Sequence, residues 1–389
     1  MFRLDSLALI SMGSFAILWA VTVAAAPRRD REGTGRWELF CLLAGTLLAY
    51  AAADVAVFLA GWALTVWPYF RGERPGPRLA LAAGTVPLAI GAALMMVPGT
   101  ANSGTANFSS VAFGAFILAV LLRKGIFPLH FWTLNAFEQF RLPALGLILN
   151  SHLGGYLLIR FVIPQFPALA AEWLPVVSWL ALGTSVLMAV AGLAEAQPRR
   201  ILGLLWLSQG SFILAGLATK TQEGITGALI HWWVVAFAMT GLISIYGSLE
   251  ARTSGVRARS GFQGLGAHAP RLAVFFGVCG FALVGLPGTL GFVAEDLLFH
   301  GALKAHPLLG VALPLATALN AITMLRLFVT LFMGKRAIHV PPIPDALPAE
   351  RAAFTVVVVL LVFGGLAPAL LIALRTDSAI GLARLLTGQ

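Results

Sequence analysis

Among the ionisable residues inside apolar stretches of this 389-residue chain, Lys124, His152, His231 and Glu295 are of the types that exchange protons. A charged side chain within hydrocarbon is costly, so such groups face one another, a polar cavity or an ion path. Burial in general draws ammonium and carboxylic acid groups toward neutrality from opposite sides, which makes both exchangeable proton carriers. An imidazole already titrates near neutral pH and passes a proton through either ring nitrogen. The chemistry within reach of this set is a proton relay, with each member on a different predicted helix. A lone histidine in an apolar span can equally be a hydrogen-bonded packing residue.

Lys124 follows Arg123 at the end of an apolar run, and Gly125, Phe127 and Pro128 then break the helix. A Gly/Pro-interrupted membrane helix frees backbone groups at membrane depth, which is tolerated where protein or a wet cavity satisfies them. His130, just past the break beside Pro128 and Trp132, is placed to cap the opened backbone. The other reading of Lys124 is a helix-end ammonium that snorkels to the headgroups. A second break mirrors the first: Gly285, Pro287, Gly288 and Gly291 interrupt the stretch 271–304, and Glu295 and Asp296 follow. Adjacent residues lie about 100° apart around a helix, so these two carboxylates cannot share one cavity equally. Either they serve a site, with Asp296 capping the resumed helix or facing a neighbour, or they are a surface pair at a helix start. Interrupted helices in corresponding places of two halves are the mark of inverted-repeat transporters.

Such residues need a membrane bundle to hold them. The chain is 59% hydrophobic and 11% charged, with mean hydropathy +0.89, whereas soluble domains carry about 25% charged residues. It reads as an all-α polytopic membrane protein. Apolar runs of about 20 residues fall near 5–26, 37–52, 54–70, 79–98, 109–141 (broken), 143–163, 174–194, 201–218, 225–249, 271–304 (broken), 309–333 and 352–374, twelve in all. The arginines after the first run, Arg28, Arg29, Arg31 and Arg36, are on the wrong flank for a cleaved export signal, so the first helix is retained with its start outside. The inside loops then hold 17 of the 26 Lys and Arg and the outside segments six, while Arg123, Lys124 and Arg326 lie within spans. That bias is the positive-inside pattern, and it accounts for the net charge of +10 without nucleic acid. The loop 99–108 carries no charge and falls outside. Residues 1–36 form the first helix and its loop, 37–163 and 174–333 two five-helix repeats, and 334–389 a linker and the last helix. The segments 253–269 and 341–348 read as an inside connector and a Pro-rich linker. Cys41 and Cys279 have no metal-ligand spacing, and no metal site is expected.

The order of motifs resembles the antiporter-like membrane subunits of respiratory complex I and of Mrp-type sodium/proton antiporters. The likeness runs from about Tyr50 to Lys335. It is carried by Asp54, Phe58 and Trp62 at four-residue spacing, by Lys124 with Pro128, Leu129, His130 and Trp132, and by Pro143, His152, Tyr156 and Arg160. Arg199 and Arg200 with Ser208 and Gln209, Gly227 and Ala228 with His231, and the block from Gly285 to Asp296 complete it. The resemblance implies proton translocation, or its support, within a multi-subunit membrane assembly, with the relay Lys124, Arg123, His152, His231 and Glu295. Asp54, Glu138, Asp296 and Arg326 are charged candidates of secondary rank. Arg326, about 13 Å of helix rise from Lys335, is placed either to snorkel inward or to pair with Glu295.

The departures are specific. Full-length members have about fourteen spans, two more than here. Their Trp-Glu pair reads Trp62-Ala63, the usual lysine position is Arg123, and two further polar positions read Val235 and Met239. The resemblance implies no redox cofactor on this chain, which is at most a non-redox pumping subunit of an NADH-quinone oxidoreductase-like complex. Its ion is the proton, or sodium, and its partners are other membrane subunits in a bacterial plasma membrane, both termini outside. Two other readings stay open: a membrane subunit driving inorganic carbon uptake with a soluble zinc partner, and a degenerate structural subunit.

Overall fold

The computed structural model describes residues 2–70, 76–96, 106–253, 262–334 and 343–388. The chain forms α1 (Ser6–Ala25), α2 (Arg28–Arg31), α3 (Thr34–Ala51), α4 (Val55–Phe70), α5 (Gly76–Met95), α6 (Ala106–Lys124), α7 (Phe131–Gln139), α8 (Leu142–Asn150) and α9 (Leu153–Leu157). A π-helical turn, Leu158–Val162, leads into α10 (Ile163–Gln165), followed by α11 (Pro167–Ala194), α12 (Pro198–Leu217) and α13 (Gln222–Arg252). The last elements are α14 (Pro270–Leu283), α15 (Leu290–Ala305), α16 (Pro307–Phe332), α17 (Pro348–Leu366) and α18 (Pro368–Thr387). No strand occurs among the described residues beyond one bridge between Phe2 and Ala52.

Sequence punctuation sets these boundaries. Proline opens α11, α12, α14, α16, α17 and α18, where its missing N–H costs nothing and its fixed φ suits the first turn. Asp5 accepts from Ala8 N to cap α1, and Thr221 from Gly224 N to cap α13. Seven helices among the described residues are long and apolar enough to cross a membrane, and three shorter apolar ones accompany them. The span formed by α8 to α10, α12 and α13 are buried along nearly their whole length, while α1, α16 and α17 leave much of theirs uncovered. Outer helices expose Val111, Val274, Val359 and Phe363, as lipid-facing surfaces do.

Contacts sort the chain ends into two faces. On one, Arg3 N donates to Ala51 O, Arg160 pairs with Asp5, and Lys304 with Glu223. We call this the terminal face. On the other, Arg199 bonds Glu250 and the carbonyls of Phe137 and Phe140, Arg252 bonds Glu350, and Ser248 bonds Ala25 O. Arg200 joins Glu138 and Glu195 there. Burial works against the Glu195 carboxylate, but backbone donors from Gln197 and Ala196 and the Arg200 guanidinium hold it below its ordinary range. The uncharged loop 99–108, the connector 253–269, Lys335 and part of the 341–348 linker lie wholly or partly outside the described residues.

Two spans differ from their sequence reading. The stretch 143–163 is not continuous: His152 stands at φ 46, in the left-handed region, between α8 and α9. The final run ends at Leu366 and not near 374, and α18 turns back from Ala367 to pack on α13, α11 and α10. Proline at 368 cannot continue α17 without removing a helical hydrogen bond.

Candidate functional site

Both breaks are built by one device. Gly125 N donates to Leu122 O (3.2 Å) and Ile126 N to Leu121 O (3.0 Å); Gly285 N donates to Ala282 O (3.4 Å) and Leu286 N to Phe281 O (2.9 Å). These are Schellman closures with a glycine in the left-handed region, φ 65 at Gly125 and φ 72 at Gly285. A side chain at either would be strained, and a Cβ on Gly285 would meet the Glu295 carboxyl. The first break draws further bonds from elsewhere: Trp132 Nε1 donates to Leu122 O (2.8 Å) and Phe127 N to Thr184 Oγ1 (3.0 Å). At the second, Thr289 Oγ1 donates to Leu286 O within the same loop.

Lys124, at the end of α6, is buried and places Nζ 3.1 Å from His152 Nδ1. It lies 5.5 Å from the Trp206 ring centroid. Gly210 on α12 leaves it room, and Gly154 admits its stem. His152 owes its position to the left-handed kink, a conformation that costs a non-glycine residue on the order of 1–3 kcal/mol. Its ring stacks on Trp206 and meets the edge of Trp232, and Nε2 has no hydrogen-bond partner.

On α13, His231 sets Nε2 3.2 Å from Gln209 O, leaving Nδ1 unpartnered. Glu295 on α15 is buried, and the side chains of Gln209 and Thr317 stand beside its carboxyl without closing a well-formed hydrogen bond. Both amide atoms of Gln209 and Oε1 of Glu295 are unpartnered. Buried polar atoms without partners are rare and costly. Here they recur on His152, Gln209, His231 and Glu295. The middle of α12 connects the set, with Gly210 toward Lys124 and Gln209 toward His231 and Glu295.

The other sequence candidates take different places. Arg123 turns from Lys124 to α4, its guanidinium 4.7 Å over Trp62 and Nη2 3.0 Å from Thr65 Oγ1. Ala63 is exposed, on a different side of α4 from the two residues that hold Arg123. Asp54 accepts from Val57 N at the start of α4. Glu138 pairs with Arg200. Asp296 is exposed beside His300 (3.6 Å) and does not cap α15, whose N-cap is Thr289. Arg326 does not pair with Glu295; it donates to the carbonyls of Gly192, Leu193 and Glu195 at the end of α11. The side chain of His130 does not cap α7; its ring lies by the Pro128 carbonyl of the opened loop and packs on Phe127 and Phe131, while its own carbonyl accepts from Thr133 N. Pro128, Pro287 and Gly288 lie within the two break loops. No cluster of three or more metal-ligating side chains occurs among the described residues.

Sequence reasoning missed Gln209 and Thr317 as neighbours of Glu295, and Arg375 altogether. Gln209 was visible only as part of the Ser208-Gln209 motif. Arg375, at the interruption Arg375-Thr376-Asp377 in an apolar run, is almost fully buried over the Trp233 ring.

These features define an integral membrane protein of two broken helices around a buried polar line. Residues 82–320, more than half of the chain, match the family described as NADH:quinone oxidoreductase/Mrp antiporter, TM, and the protein belongs to that family. It is 26% identical over 249 residues to NADH-quinone oxidoreductase subunit N of Parvibaculum lavamentivorans, covering 62% of this chain and 51% of that one. The chain thus spans about half the length of the curated relatives it matches. Among solved structures, a chain of respiratory complex I from Thermus thermophilus with bound NADH shares its fold at TM-score 0.88 and 24% identity, over 99% of this chain and 86% of that one. A chain of the Mrp complex from Dietzia sp. DQ12-45-1b does so at TM-score 0.82 and 19% identity, over 98% and 84%.

Proposed function

We propose that the protein is a proton-translocating, antiporter-like subunit of a complex I-related or Mrp-like membrane assembly. Protons are relayed laterally from Lys124 and His152 through the neighbourhood of Gln209 to His231 and Glu295. The observation that carries this reading is the Lys124–His152 contact inside the bundle, continued by unpartnered polar atoms on His152, Gln209, His231 and Glu295. A lysine and a histidine 3.1 Å apart cannot both hold their protons comfortably, so loading one unloads the other. Arg123, held by Trp62 and Thr65, supplies fixed positive charge beside the relay. The two repeats are residues 37–163 and 174–333, and the arginine-rich face is the inside of a bacterial plasma membrane, with both termini outside. The redox chemistry, or the second ion, belongs to partner subunits.

Proton flux into liposomes holding the intact assembly tests the reading. Lys124→Ala should abolish driven flux while the subunit still assembles. Unchanged flux in assembled Lys124→Ala protein would end the relay through this pair.

A further inference from the structure

The relay leaves one buried cation unused. Arg375 is 1% exposed, its guanidinium lies 4.4 Å from the Trp233 ring centroid, and its Nε and Nη1 have no hydrogen-bond partner. A guanidinium stays charged under all ordinary conditions. Stacking on an indole offsets part of its desolvation, but no carboxylate is paired with it among the described residues: Asp377 of the same helix and Glu172 of α11 form no ion pair.

Its position is informative. The guanidinium lies in the neighbourhood of Tyr50 and Tyr156. Tyr156 donates to Tyr50 O (2.6 Å), and Tyr50 in turn donates to Ser151 O, next to His152. Trp232, beside the Trp233 that Arg375 covers, touches the His152 ring. Tyr50 lies in the last turn of α3, whose end at Ala51 and Ala52 meets Arg3 and Phe2, and Arg160, one turn past Tyr156, pairs with Asp5. Tyr50 and Tyr156 therefore stand between His152 and the terminal face, and Arg375 on Trp233 flanks them.

We propose that Arg375 is an electrostatic seal: carried on α18 and packed over Trp233 of α13, it bars protons and other small cations from passing directly between the terminal face and the Lys124–His152 pair. A fixed arginine in a narrow polar path is an effective barrier to cations. With that exit closed, a proton on His152 has only the lateral route toward His231. The seal rests on the relay reading for its purpose, but its existence can be tested without any transport.

The experiment uses the full chain in its assembly, with Cys41 and Cys279 replaced by alanine and Ser151→Cys as reporter. Ag⁺, a small cation, and neutral methyl methanethiosulfonate are applied from the terminal-face side, and the modification rate is measured. Arg375→Gln, or Arg375→Met should the glutamine variant fail to assemble, is expected to raise the Ag⁺ rate at least tenfold and leave the neutral reagent's rate within about twofold. Arg375→Lys should keep Ag⁺ slow. Equal Ag⁺ rates with and without the arginine overturn the proposal, as does a parallel rise for both reagents, which marks loosened packing. Proton leak gives a second readout: it should appear in Arg375→Gln and vanish when Lys124→Ala is added. Were the relay reading wrong, Lys124→Ala would leave driven flux unchanged while the Ag⁺ selectivity remained.

Discussion

The two broken helices share a backbone and differ in chemistry. Each closes on a left-handed glycine with the same pair of hydrogen bonds and then resumes after a short loop. In the first, the charged group is the last helical residue before the glycine, Lys124. In the second it is Glu295, ten residues past the glycine. The place matching Glu295 in the first break is Asn135, which is exposed, because α7 presents Trp132, Thr133 and Ala136 inward instead. One turn motif thus carries a cation on one side and an acid on the other. What decides this is the rotation of the helix that resumes, together with the space left by Gly210 and Gly285. The breaks also differ in self-sufficiency, since the first takes bonds from Thr184 and Trp132 and the second relies on its own loop.

The largest expected effect is on the cation side: Lys124→Ala should remove driven proton flux altogether in assembled protein, as measured in liposomes. The acid side should follow closely. Glu295→Gln keeps shape and most polar contacts of the carboxyl, so flux should be blocked with little change in melting temperature. Asp296→Asn, on the exposed side of α15, should leave flux within about twofold, because a solvent- or lipid-side group away from the line makes no contact that transport uses. Should Asp296→Asn block flux and Glu295→Gln spare it, the assignment of the inward face of α15 is wrong.

The glycines separate backbone from site. Gly125→Ala and Gly285→Ala both force a side chain into the left-handed region, costing about 1–2 kcal/mol each. At Gly125 the new methyl group meets the end of the Leu207 side chain and the Thr133 hydroxyl, which shift at the expense of stability. At Gly285 it meets the Glu295 carboxyl itself, so flux should fall along with stability. Equal flux loss in both variants would show that the glycines act only through the fold.

Much of this arrangement is legible in the sequence because its signals are local. Apolar runs, the Gly/Pro clusters and the arginine bias report the bundle, the two breaks and the faces without any knowledge of packing. His152 in the left-handed region and the π turn after it are not legible, since Asn150, Ser151 and Gly154 suggest a polar stretch but no particular backbone. Local pattern alone does not separate Asp296 from Glu295; the family resemblance favours Glu295, and the packing of α15 against α16 and α12 buries Glu295 and leaves Asp296 exposed. Arg375 reads as a tail residue because Thr376 and Asp377 lower the hydropathy around it; only the return of α18 onto α13 buries it. Gln209 gains its part from the neighbours that α12 meets, which no local pattern encodes.

The smallest expected effect tests whether the first break leans on its surroundings. Phe127 N lies in the opened loop and donates to Thr184 Oγ1, which in turn donates to Leu180 O (2.7 Å) on its own helix. Thr184 is 1% exposed, so water does not stand ready to replace it. Thr184→Val keeps the volume and removes the acceptor, leaving a backbone N–H unsatisfied, at a cost of about 1–3 kcal/mol. The matching removal at the second break, Thr289→Val, deletes only a hydroxyl donated to a carbonyl that already accepts from Thr289 N. That change should cost under about 1 kcal/mol, since a shared acceptor is not left bare. The measurement is the detergent-solubilised melting temperature of the two variants side by side, with Thr184→Val the lower. A larger drop for Thr289→Val would mean that the second break, and not the first, depends on side-chain support.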